Sequence, residues 1–290
     1  MSDKPSISLS MNEHGIEFVN VDNQHATAKI SLFGGHLLSF IPKSDQHERL
    51  WLSPNAKMDG TKAIRGGIPI CWPWFGDYKT SPHYRDSEDI SAFPAHGFLR
   101  TQTWDLISTH DNNQHTMLRL KPQTSSGAGF DKDVQVELIV EVGKTLTISL
   151  VTTNLSSDAI AITAALHTYF SVADIEETKL NGLSGIYVDK TRSFKHLQTP
   201  SVYEFSEETD RAHLCQPEMV TIASNQETNV YSEGHDSIVV WNPWKEKSIS
   251  MSDMTDDGYK SMLCVETAVT QLPGQKIQPG QSHCLKQVIS

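Results

Sequence analysis

A histidine and a glutamate stand in runs of this chain that otherwise carry no charge: His167 in AIAITAALHTYF (159–170) and Glu266 in SMLCVETAV (261–269). If the first run is a strand, Ala161, Thr163, Ala165, His167 and Tyr169 share one face, so the imidazole projects from small residues that leave room for a ligand. Its unperturbed pKa of about 6.5 suits proton donation near neutrality. The alternative is a core histidine satisfied by a backbone carbonyl. Glu266 shares a face with Met262, Cys264 and Ala268. Burying a carboxylate costs on the order of several kcal/mol unless it is paired or protonated. Three roles stay open for it: a hydrogen-bonded structural acid, half of a buried ion pair, or a base tuned by partial desolvation.

Two further segments carry donors. In RGGIPICWPWFG (65–76), glycines and prolines shape the backbone, Trp72, Trp74 and Phe75 offer flat apolar faces, and Arg65 stands beside them, placed to bind an anion or to pair with a surface carboxylate. In PAHGFLR (94–100), Gly97 allows a close turn that brings His96 and Arg100 together, two donors of different length for a polyoxygenated ligand. As a metal site this segment is poor, because His83 lies too far upstream for a usual ligand spacing. EFSEETDRAH (204–213), with Asp210 and Arg211, reads as a solvated charge run, and VVWNPW (239–244) as a strand ending in a turn whose aromatics are core or pocket support.

The elements that must position these residues are strands. VQVELIVEV (134–142) alternates with period two, and TLTISLVTTN follows after Gly143-Lys144, which predicts a hairpin with a glycine-first two-residue turn. Similar short runs fill the chain, long amphipathic helices are absent, and the most loop-like stretch, QTSSGAGFDKD (123–133), fits a long hairpin connection or a lid. The pattern predicts an all-β chain, a large antiparallel β-sandwich forming a single domain over residues 1–290.

Composition narrows the partners. With 24 Lys plus Arg against 35 Asp plus Glu, the net charge of -11 argues against a nucleic-acid ligand. No run reaches the ~18 to 20 apolar residues of a membrane span, and the N-terminal stretch MSDKPSISLSMNEHG lacks the features of a secretory signal. Cys71, Cys215, Cys264 and Cys284 form no CxxC pair and read as reduced thiols. A cytoplasmic, non-membrane protein is expected, with a monomer the simplest state.

Taken in order, RGGIPICWPWFG, HGFLR, ALHTYF, ETDR, VVWNPW and CVE resemble the aldose 1-epimerase superfamily, and within it the hexose-6-phosphate mutarotase branch, over roughly residues 60 to 275. The resemblance implies a galactose-mutarotase-type β-sandwich. It makes His167 the catalytic histidine and Glu266 the catalytic carboxylate, Arg65 and Arg100 substrate-binding arginines, Asp210 the acid that holds sugar hydroxyls, and His96 a further sugar contact. One departure is Ala95, where the related pattern often has Gln before the His-Gly pair, which removes a side-chain amide contact.

Anomer exchange opens a cyclic hemiacetal: the ring oxygen gains a proton while the anomeric hydroxyl loses one, and the steps reverse after rotation about C1–C2. Protonated His167 as donor and ionised Glu266 as acceptor are then sufficient, with no metal or organic cofactor. The partner expected is a small-molecule sugar phosphate, since guanidinium grips phosphate through paired charge-assisted hydrogen bonds. Rival readings are mutarotation of unphosphorylated aldoses, a non-catalytic carbohydrate-binding sandwich, and a glycosidase using Glu266 with Asp210.

Overall fold

The computed structural model describes residues 6–84 and 93–290; the first five residues of the N-terminal stretch lie outside them. Period-two alternation has become strand nearly everywhere, and the α-helix found among the described residues is the short Trp244–Ser250. Two eight-stranded sheets form the body. The first runs in the order Lys195–Gln198, Ile186–Asp189, Thr209–His213, Ser237–Asn242, Met262–Val269, Ala164–Leu166, Ile70–Cys71, with Tyr169–Ser171 also paired to Met262–Val269. The second runs Lys179–Asn181, Met219–Ala223, Glu227–Glu233, Ser282–Ile289, Leu146–Asn154, Val134–Gly143, His115–Pro122, Trp104–Asp111. The pairings in both are antiparallel. A four-stranded meander over Ile7–Met11, Glu17–Asp22, Ala26–Ser31 and His36–Pro42 adds to them.

The sheets face each other through a common apolar cluster. Leu166, Ile238, Val240, Leu263 and Val265 of the first join Leu138, Val140, Ile148, Leu150, Leu285 and Ile289 of the second, each such side chain contributing about 1.5–3 kcal/mol on burial. Their alternate neighbours Ala165, Val239, Cys264 and Ala268 belong to separate clusters on the other face, as the pleat requires. This is the antiparallel β-sandwich that the alternation predicts. Between the sheets, buried Gln287 donates to Thr267 Oγ1 at 2.8 Å and accepts from Thr168 Oγ1. That bond fixes the neighbours of both Glu266 and His167.

Three local expectations change. The hairpin forms, but Val142 pairs with Leu146, so Gly143, Lys144 and Thr145 make the connection, and Gly143 does not take the positive φ of a glycine-first turn. Its lack of a Cβ serves instead to let the Gln114 carbonyl approach. The run 159–170 is not one strand but three, Ile160–Ile162, Ala164–Leu166 and Tyr169–Ser171. Its breaks face Pro73 and Pro69, whose carbonyls accept from Thr163 and His167 but which have no N–H to continue a ladder. The stretch 204–213 is a solvated run only in its first half, where Glu204, Ser206 and Glu207 are exposed; Thr209–His213 is an inner strand between Ile186–Asp189 and Ser237–Asn242. The stretch 123–133 is a hairpin connection between adjacent strands, anchored by Phe130 packing 5.0 Å from Trp72.

Two histidines away from the site are buried neutral. His36 donates from Nε2 to the Gly66 carbonyl at 2.7 Å and burial pushes its pKa down to about 4; His213, between Thr199 Oγ1 and the Tyr203 hydroxyl, is pushed down to about 3. In the unfolded chain both protonate near ~6.5. Their contribution to stability is present above that pH and is lost as pH falls, each by up to about 1.4 kcal/mol per pH unit. His213→Gln is therefore expected to flatten the loss of stability between pH 6.5 and 5 in denaturant melts; an unchanged slope would contradict the neutral burial of His213.

Candidate active site

Strand register brings the histidine to the glutamate. On the strand Met262–Val269, Thr267 pairs with Leu166 and Cys264 with Tyr169, so the break at 167–168 falls beside Glu266. His167 Nε2 stands 3.4 Å from Glu266 Oε1, with the histidine 9% and the glutamate 1% exposed. Tyr169 stacks on the imidazole at 5.0 Å and 15°, and Phe75, His96 and Trp241 complete an aromatic surround.

A cavity of about 470 Å³ opens above the pair, within the range of small-molecule sites. Arg65, His96, Arg100, His167, Asp210 and Glu266, the residues singled out from the sequence, all line it. Small side chains such as Ala165, Ala212 and Ala268, packed with Phe75 and Cys71, keep the adjoining face of the sheet low.

The surrounding cations differ in how they are compensated. Arg65 makes a two-pronged contact with Asp253 at 3.2 and 3.1 Å and donates to the Tyr169 hydroxyl at 2.8 Å. Lys190 pairs with Asp210 at 3.0 Å and lies 5.0 Å over the Phe75 ring, and Lys247 pairs with Glu208 at 2.6 Å. Arg100 donates to the Ala95 carbonyl at 2.8 Å, and no ion pair to it occurs among the described residues. The backbone at Ala95 thus supports the arginine where the related pattern has an amide side chain. His96 accepts from the Gly76 N–H through Nδ1 at 3.2 Å, which leaves Nε2–H as a donor. Desolvation, reinforced by Arg100 and His167, holds this imidazole well below its ordinary pKa.

The central pair departs from the charge state expected above. Desolvation, then the nearby Arg100 and Arg65, push His167 well below the usual histidine range. Desolvation pushes Glu266 well above the carboxylate range, against the opposing pull of Lys190. Glu266 Oε2 and His167 Nδ1 have no hydrogen-bond partner, so the cost of burying a charge on either group is offset only by the neighbouring charges and by their mutual 3.4 Å contact. Both shifts run toward the uncharged forms, neutral His167 and protonated Glu266, which hold the same single proton as the ion pair but on the other partner.

Sequence reasoning missed Lys190, Lys247 and Asp253. Lys190 follows the strand Ile186–Asp189, Lys247 sits on the helix Trp244–Ser250, and Asp253 lies in the acidic stretch beyond it. Each is an ordinary surface residue by type, with no local signal to single it out.

Residues 17–290 match the aldose 1-epimerase family profile. A protein from Salmonella typhimurium named "Putative glucose-6-phosphate 1-epimerase" is 34% identical over 275 residues, 92% of this chain and 88% of its own. One of the same name from Escherichia coli is 36% identical over 260 residues, 87% of this chain and 83% of its own. A crystal structure from Salmonella typhimurium, described as a "putative mutarotase", superposes with a TM-score of 0.87 at 33% identity, covering 99% of this chain and 94% of that one. The chain belongs to the aldose 1-epimerase family, and its reaction is of the mutarotase type on a sugar.

Proposed function

We propose that the protein interconverts the α and β anomers of a hexose 6-phosphate, glucose 6-phosphate foremost, with His167 and Glu266 as the proton-transferring pair. The observation that carries the reading is their 3.4 Å contact at the floor of a cavity rimmed by Arg65, Arg100, Lys190 and Lys247. The ring oxygen and the anomeric hydroxyl are both bonded to C1, so the groups that address them must be neighbours rather than face each other across the sugar. The pair holds one proton. His167 gives it to the ring oxygen as the C1–O5 bond breaks, Glu266 takes the anomeric hydroxyl proton as the carbonyl forms, and closure on the other face reverses both transfers.

A phosphate suits this site in a second way. Arg100 and Arg65 are the cations that disfavour protonated His167. An anion bound to Arg100, the larger of the two contributions, offsets that field and shifts the shared proton from Glu266 to His167, the distribution the first step needs. The chain's net charge of -11 repels an anion only weakly within the pocket, since it is screened beyond ~8 Å at physiological salt. His96 Nε2–H and the Asp210 carboxylate are then the contacts for sugar hydroxyls.

Magnetisation-exchange NMR on glucose 6-phosphate and glucose side by side tests the reading. Rapid exchange of the phosphorylated sugar is expected; faster exchange of free glucose would favour the aldose alternative. Arg100→Ala should raise KM for glucose 6-phosphate by about tenfold or more, as loss of a charge-assisted contact of about 1.5–3 kcal/mol implies, with a smaller effect on glucose. Arg65, bound to Asp253 and Tyr169, should matter for both sugars, because its removal loosens the ring stacked on His167. Equal losses on the two sugars in Arg100→Ala would count against phosphate recognition.

A further inference from the structure

Cys264 and Glu266 are two residues apart on one strand, so their side chains leave the same face. The pairing of Tyr169 with Cys264 folds His167 over both. An imidazole nitrogen of His167, the Cys264 sulfur and a Glu266 oxygen all lie within 4.8 Å of one another, in residues 9%, 0% and 1% exposed. Two polar atoms of the group, His167 Nδ1 and Glu266 Oε2, are buried without a hydrogen-bond partner. Cys264 takes no part in the proton transfer derived above, and nothing in that chemistry needs a thiol.

We infer that His167, Cys264 and Glu266 form a three-ligand site for a borderline-soft divalent cation, best matched by Zn²⁺, whose binding shuts the reaction off. The inhibitory consequence rests on the proposed function, whereas the binding does not. Zinc takes nitrogen, sulfur and oxygen ligands at about 2.0–2.3 Å, which puts ligand atoms about 3.5 Å apart in a tetrahedral shell. The present separations, within 4.8 Å, must close toward that spacing by side-chain movement. Thiolate, carboxylate and neutral imidazole cancel the charge of the ion, as a buried site requires, while the sulfur and nitrogen disfavour Mg²⁺ and Ca²⁺, which prefer oxygen. Binding displaces the thiol proton, since the thiolate is the ligand. Because His167 and Glu266 line the cavity, a fourth ligand, water or a sugar hydroxyl, would reach the ion from that side. With both groups coordinated, neither exchanges protons at C1. The short C-x-E spacing gave no hint of this, because the third ligand lies about a hundred residues upstream on another strand.

Co²⁺ is the probe, because a thiolate ligand gives it a near-ultraviolet charge-transfer band. Titrated into the intact protein, it is expected to produce that band with one equivalent, and Cys264→Ala and the core-filling Cys264→Val are expected to abolish it. In exchange NMR, one equivalent of Zn²⁺ should slow the wild type at least tenfold, with recovery on chelation, while the metal-free variants match the metal-free wild type and ignore the ion. No band in the wild type, an equal band in both variants, or equal inhibition of Cys264→Ala overturns the inference. If metal-free wild type exchanges neither sugar, the proposed function fails while the cobalt band still decides the site.

Discussion

Glu266→Gln is expected to slow anomer exchange by about 10²- to 10⁴-fold, the range of a single positioned proton-transfer group, and at the same time to make the protein harder to unfold. The loss follows because the amide keeps the shape of the carboxyl group but cannot accept the anomeric proton. The gain follows from linkage. Glu266 is buried, its pKa raised in the folded state by desolvation, so the folded protein holds a proton that the unfolded chain releases above ~4.3. That difference lowers stability as pH rises above the unfolded value, and glutamine, an uncharged isostere of the protonated acid, removes it. The melting temperature of the variant should therefore exceed that of the wild type by a margin that grows from pH 5 to 7. His167→Asn should give a comparable loss of rate. The double variant should be little slower than the worse single one, because two groups that share one proton act as a unit. Full exchange in Glu266→Gln would remove the basis of the proposed mechanism.

His167 and Glu266 were legible in the sequence because a lone titratable side chain in an apolar, alternating run needs a reason to be there, and the alternation fixed which neighbours share its face. Asp210 was legible only through the family resemblance of ETDR, because the acids at 204–208 disguised the inner strand Thr209–His213, whose burial comes from flanking strands distant in the chain. The breaks around His167 were hidden as well, because they originate in Pro69 and Pro73 of the partner segment rather than in the run itself. Lys190 became part of the cavity wall, and Asp253 the partner of a wall arginine, only through long-range pairing, Lys190 with Asp210 and Asp253 with Arg65. Alternation therefore revealed the faces of strands, while the charge balance of the site depended on which strands became neighbours.

Gly97→Ala is expected to destabilise the fold by about 2–5 kcal/mol, combining the cost of a left-handed non-glycine residue with that of overpacking. The segment that carries His96 and Arg100 lies directly on the aromatic run 72–76: His96 N–H donates to the Gly76 carbonyl at 2.7 Å and Phe98 N–H to the Trp72 carbonyl at 3.1 Å. Gly97 has φ of +69°, and a Cβ there would stand 1.9 Å from the Trp72 carbonyl oxygen. No rotamer change relieves a clash between two backbones. Gly185 separates the two costs, since its φ of +74° is similar but nothing lies within 4 Å of its Cβ position; Gly185→Ala should lose only about 1–2 kcal/mol. Denaturant midpoints for the two variants measure the difference, and equal losses would show that packing against Trp72 does not constrain Gly97. Exchange kinetics add the functional consequence: any folded Gly97→Ala should show a raised KM for glucose 6-phosphate, because the shift that admits the methyl group moves Arg100 and His96 away from the cavity together.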